Sequence, residues 1–118
     1  MADGALFIGF GEVVRGREAR AVEVFNESAA YYAGLQEAGT IETWQVVLLG
    51  PHGGDLGGFF LLTGDRAKLA ALTADDDFDR QTTRADLIVD GLGVVQGLVN
   101  EGLARGMEIY QEEIDKLS

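Results

Sequence analysis

Few side chains in this sequence could do chemistry, and they gather in three places. The first is LLGPHGGDLGGFF, Leu48 to Phe60, which holds the only histidine, His52, the only proline, Pro51, and five glycines. An imidazole could serve as a general base or ligate a haem iron. Its surroundings argue against both, because Pro, Gly and Asp between two apolar runs mark a hairpin tip, where side chains face water. One histidine and no cysteine also cannot build a multi-histidine or thiolate metal site. The glycines lack the Lys-Ser/Thr pair of a phosphate loop and open a strand instead of a helix. Gly9-Phe10-Gly11 likewise lacks the third glycine of a dinucleotide fingerprint.

The second place is the acidic run Asp75, Asp76, Asp77 and Asp79. Aspartates at 75, 77 and 79 match the first three ligand positions of a calcium loop, but Arg80 stands where the turn needs glycine and no glutamate closes the twelfth position. The run reads as a solvated cap at a helix start. The third is a set of polar groups set among apolar ones. Gln45 in TWQVV and Gln96 in VVQGL each interrupt aliphatic runs, beside the sole tryptophan, Trp44, and Tyr32. A buried amide needs partners, since leaving one unpaired costs roughly 1–3 kcal/mol. Two readings stand. Tyr32, Trp44, Gln45 and Gln96 wall a ligand pocket with Asp79 and Arg80 near its mouth, or the amides sit exposed on edge strands and the aromatics fill the core.

Elements must position these groups. Ala5 to Val14 (ALFIGFGEVV) is predicted as a strand, broken by Gly16. From Arg17 to Ala38 the apolar period lengthens to that of a helix: Ala21, Phe25, Ser28, Tyr32 and Leu35 form one stripe, and Gly39 is placed to end the helix in the left-handed conformation. Ile41 to Leu49 and Gly57 to Thr63 are the second and third strands, joined as a hairpin. Asp65 caps a short helix, RAKLAAL, and the acidic run caps further helical turns toward Asp90. Gly91 to Val99 is the fourth strand. Glu101 to Leu117 is a C-terminal helix whose Leu103, Met107, Tyr110, Ile114 and Leu117 step by four, three, four and three.

At 118 residues the chain is expected to form a single domain over 1–118, with the composition of a globular protein. Twenty acidic against nine basic residues give a net charge of −11, which repels nucleic-acid phosphates and anionic membranes. Arg15, Arg17 and Arg20 cluster, but among Glu12, Glu18 and Glu23. The start lacks a basic leader with an apolar core, and no apolar run reaches spanning length. The expectation is a soluble, cytoplasmic protein with no nucleic-acid or membrane partner, no metal and no cofactor.

The order β-α-β-β-α-β plus a final helix folds most simply as two interleaved right-handed crossovers. That is an α+β, ferredoxin-like fold: a four-stranded antiparallel sheet with both main helices on one face. The other face stays apolar, because Phe59 and Leu61 alternate with Phe60 and Leu62 along the third strand. Such a face needs covering, by a second copy in a two-fold homodimer or by the C-terminal helix folding back.

The layout resembles the dimeric α+β barrel superfamily, which takes in antibiotic-biosynthesis monooxygenase-like, NIPSNAP-like and stress-responsive barrel domains. ALFIGFGEVV, VEVFNESAAYY, WQVVLLGPHGGDLGGFFLL and GLGVVQGLV carry the likeness, by element order and strand texture. It implies two sheets packed into a barrel, with ligands between sheet and helices. Members range from cofactor-free monooxygenases and isomerases to haem-degrading enzymes and proteins without known activity. No catalytic motif of these families matches a position here. The functional expectation is a homodimer or higher homo-oligomer that binds an apolar or aromatic small molecule between sheet and helices, with or without cofactor-independent catalysis. The alternative is a non-catalytic assembly protein that uses its C-terminal helix.

Overall fold

The computed structural model describes Met1–Ser118. Four strands and four helices follow in the order β1 (Gly4–Phe10), α1 (Glu18–Glu37), β2 (Thr43–Leu48), β3 (Gly58–Gly64), α2 (Arg66–Thr73), α3 (Asp76–Asp86), β4 (Gly93–Leu98) and α4 (Asn100–Leu117). The strands form one antiparallel sheet in the order β2-β3-β1-β4. This is the ferredoxin-like arrangement, with β2 and β4 at the edges.

Local chemistry accounts for the boundaries. Gly39 takes φ +80° beyond α1, where its N–H reaches Gln36 O at 3.1 Å. The Asp65 carboxylate accepts from Lys68 N at 3.0 Å to start α2. The Asp75 carboxylate accepts from Asp77 N and Phe78 N to start α3. The acidic run therefore opens a helix of 11 residues, which ends at Asp86, short of Asp90. β1 is shorter than expected. The chain leaves the sheet at Gly11, where N–H bonds to Asp90 O at 2.7 Å and a side chain would strike the Asp90 and Asp55 carbonyls. Beyond it Val13 makes only an isolated bridge to Val89.

Register separates the two faces. Leu6 pairs with Leu62, and Leu62 with Trp44; Ile8 pairs with Phe60, and Phe60 with Val46. These rows face the helices and meet Tyr32, Ile41, Leu69, Leu72 and Phe78 in the main core. The alternate rows hold Phe7, Leu61 and Gln45, and Gly9, Phe59 and Val47, with Val95 beside Phe7. No strand position on this second face carries a charge, in a chain whose residues are one-quarter charged. The Phe7 and Phe59 rings lie 4.9 Å apart there, and Val95 is 57% exposed.

α4 does not cover that face. It meets the body at its base, where Gly102 is buried against the Asp3 carbonyl and Leu98 packs at Gly106. Beyond, its residues are exposed, and the molecule extends 55 Å along its longest axis. The radius of gyration, 16.3 Å, exceeds the about 13.5 Å of a compact chain of this length. No helix is long and apolar enough to cross a membrane.

Candidate functional site

Between the sheet and the pair α1 and α3 lies a cleft of about 410 Å³, lined by 17 residues of which 14 are apolar. That volume falls in the range of small-molecule sites, about 300–1,000 Å³. Ile8, Phe10 and Phe60 make its floor. The α1 stripe of Ala21, Phe25, Ser28 and Tyr32 makes one wall, and Thr82 and Ala85 of α3 with Ile88 and Val89 make the other. Its outer lining includes Val13, Val22 and Leu48, all exposed. The Phe60 ring organises the floor, with the Phe25 and Tyr32 centroids at 5.5 and 5.0 Å.

The polar content is sparse: the exposed Glu18, whose carboxylate accepts from Gly16 N at 2.7 Å, and Ser28, Thr82 and Tyr32. Gln81, 3% exposed, donates from Nε2 to Ser28 Oγ at 2.8 Å, and Arg84 donates to Gln81 Oε1 at 2.8 Å. Arg84 also lies 3.4 Å from the Glu27 carboxylate. The amide is thereby fixed at both ends, so Ser28 receives a bond on its oxygen and keeps its hydroxyl proton for another acceptor. Thr82 Oγ1 is spent on its own helix, donating to Phe78 O at 3.0 Å. Burial holds the Tyr32 phenol above its ordinary range, with the nearby Tyr31 adding to the shift. Ser28 and Tyr32, one helical turn apart, thus offer hydroxyl donors in an otherwise apolar wall.

The Tyr32 shift has a measurable sign. The folded chain keeps this proton at pH values where the unfolded chain, with an ordinary value near 10, releases it. Its contribution is whole below about pH 10 and is lost as pH rises above that. Unfolding free energies from urea titrations at pH 8 to 11.5 should fall with a slope of up to about 1.4 kcal/mol per pH unit from this group, and Tyr32→Phe should flatten the fall. Parallel curves for the two proteins would show that Tyr32 is not the group responsible.

The structure does not gather the other sequence-predicted residues around this cleft. Tyr32 lines it. Trp44 is half-buried against the main core, its ring 6.4 Å from Phe60. Gln45 is exposed on edge strand β2, on the face away from the helices. Gln96 is exposed on edge strand β4, beside Arg66 and Leu69 in a separate shallow depression. Both amides reach water, so neither needs a buried partner. Asp79 and Arg80 lie on the outer side of α3, where Arg80 pairs with Asp77 at 2.8 Å. The residues at the cleft from that helix are Thr82 and Ala85 instead. His52 braces its own loop: Nε2 lies 2.6 Å from Leu56 O, and Gly54 N donates to Nδ1 at 3.1 Å, which together assign the Nε2–H tautomer.

Sequence reasoning missed Gln81, Ala85 and the Ser28 contact. A signal was present: Phe78, Gln81, Ala85 and Ile88 step by three, four and three, a helical stripe in which a glutamine occupies one apolar position. The Tyr31 hydroxyl is a further buried group, without a hydrogen-bond partner.

No protein-family profile and no curated protein matches this chain. Solved structures do resemble it. A dimeric ferredoxin-like protein of unknown function from Jannaschia sp. is 18% identical, with a TM-score of 0.63 over 81% of this chain and 99% of its own. Hydroxynitrile lyase from Passiflora edulis is 14% identical, with a TM-score of 0.62 over 86% of this chain and 97% of its own. SnoaB, a cofactor-independent oxygenase from Streptomyces nogalater, is 20% identical, with a TM-score of 0.50 over 84% of this chain and 93% of its own. At these identities the likeness establishes the fold alone, the ferredoxin-like fold that this chain shares with them.

Proposed function

We propose that this protein is a homodimeric α+β barrel that binds an apolar or aromatic small molecule in the cleft between α1, α3 and the sheet. The cleft itself carries the reading: about 410 Å³ of mostly apolar space in which Ser28 and Tyr32 keep hydroxyl protons to donate, Thr82 having spent its own on Phe78 O, and Glu18 supplies one exposed carboxylate. A planar ligand with one hydrogen-bond acceptor suits that lining, since apolar burial supplies affinity and a few placed donors supply orientation. Two structural neighbours are a lyase and an oxygenase that works without a cofactor, which supports a pocket able to serve such ligands. No side chain of the cleft is assigned a catalytic role. Pairing is supported by the uncharged sheet face, which a second copy would cover in an isologous interface.

The test uses N-phenyl-1-naphthylamine, a neutral apolar probe whose fluorescence rises on leaving water. At roughly 0.3 kcal/mol per non-hydrogen atom, binding near 0.1 mM is expected. Ala85→Phe places a ring in the cleft and should weaken the probe at least tenfold while preserving the melting temperature. Gln96→Ala, in the separate depression, should leave binding unchanged. Equal probe affinity in the wild type and Ala85→Phe would exclude the cleft as the site.

A further inference from the structure

We infer that the apolar face of α4 is a contact surface for the same helix of a second copy of this chain, separate from both the cleft and the uncharged sheet face. The helix is anchored at its base. Asn100 holds φ +50° and donates from Nδ2 to Ala2 O at 2.8 Å, and any side chain at Gly102 would collide with the Asp3 carbonyl. Past this anchor α4 leaves the body with Leu103, Met107, Tyr110, Ile114 and Leu117 exposed, from 39% for Ile114 to 90% for Leu117. Most helical stability in a protein comes from packing an apolar face, so the exposed stripe calls for a partner.

Three observations commit the partner to a second copy. The stripe steps four, three, four, three, the spacing of a two-helix seam. The positions flanking it are Ala104, Gly106, Gln111 and Glu113, so two copies meet without a row of like charges. Within the helix Arg105 bridges Glu108 at 2.9 Å and Glu112 at 3.9 Å, and Lys116 bridges Glu113 at 2.6 Å, while Glu101 and Asp115, which form no ion pair, stand outside the stripe and its flanking positions. The stripe itself is uncharged and self-complementary. The stripe exposes about three whole side chains' worth of surface per copy, on the order of 500 Å² at the usual size of large side chains. Two copies together reach about 1,000 Å², where specific interfaces begin.

Tyr110 is the middle of the stripe and meets its own counterpart whether the two helices run parallel or antiparallel. The chain has no cysteine, so Tyr110→Cys under mild oxidation should give mostly disulfide-linked pairs, and Glu112→Cys on the opposite side of the helix should give few. Met107→Glu combined with Ile114→Glu should halve the mass measured by light scattering, with N-phenyl-1-naphthylamine binding unchanged. A cross-linking yield for Tyr110→Cys no greater than for Glu112→Cys, or an unchanged mass in the double variant, overturns the inference. Either result would assign the face to a different macromolecule or to none, and neither would touch the cleft.

Discussion

Leu61→Arg is expected to halve the mass of the protein in solution while leaving its helix and strand content intact. Leu61 sits at the centre of the uncharged face, between Phe7 on β1 and Gln45 on β2, and is half-buried in the single chain. A long arginine there can lay its stem on Phe7 and turn its guanidinium to water, so a free subunit tolerates it. A face-to-face pair cannot. Packed sheets stand about 10 Å apart, and a two-fold axis would bring two unpartnered guanidinium groups into one dry interface. Burying each without a counter-charge costs several kcal/mol, which weakens association a hundredfold or more. Light scattering at micromolar concentration reads the outcome, and an unchanged mass would rule out pairing through this face. The variant also separates the two interfaces: it should still give disulfide-linked pairs through Tyr110→Cys on α4.

Much of this architecture was legible in the sequence because it rests on short-range chemistry. Gly39, Asp65 and the α1 stripe act within one or two turns of themselves, so their types and spacing were sufficient. The hairpin around Pro51 and His52 is local in the same sense. What could not be read was set at long range. Gln81 meets Ser28 across 53 positions; the stripe Phe78, Gln81, Ala85 marks its own inner face but does not say which residue on another helix it meets. Gln45 and Gln96 showed the converse. Their neighbours are aliphatic, yet the order β2-β3-β1-β4 puts both on edge strands, where most of the aliphatic residues are exposed anyway. The sequence stripe on α4 was visible; that it projects from its base instead of folding over the sheet depends on Asn100 and Gly102 against Ala2 and Asp3.

Leu62→Ala, one residue from Leu61, should strike the fold instead of the assembly. Leu62 is wholly buried, flanked in the sheet by Leu6 and Trp44, within the core that also holds Leu69 and Leu72. Its truncation removes apolar burial and leaves a cavity that the sheet and helices cannot close, at a cost of about 3 kcal/mol. For a domain near this size that lowers the melting temperature by about 12 °C. Leu61→Ala opens no enclosed cavity, since its side chain faces out of the subunit, and should cost the isolated subunit less than about 1 kcal/mol. The two differ most in how melting depends on protein concentration. A dimer melts at higher temperature when concentrated, so Leu62→Ala should keep that dependence on a curve shifted down, while Leu61→Ala should lose much of it. Equal losses and equal concentration dependence in the two variants would mean that the opposite faces of β3 do the same work. The division into a helix-covered face that holds the subunit together and an uncharged face that joins two of them would then be untenable.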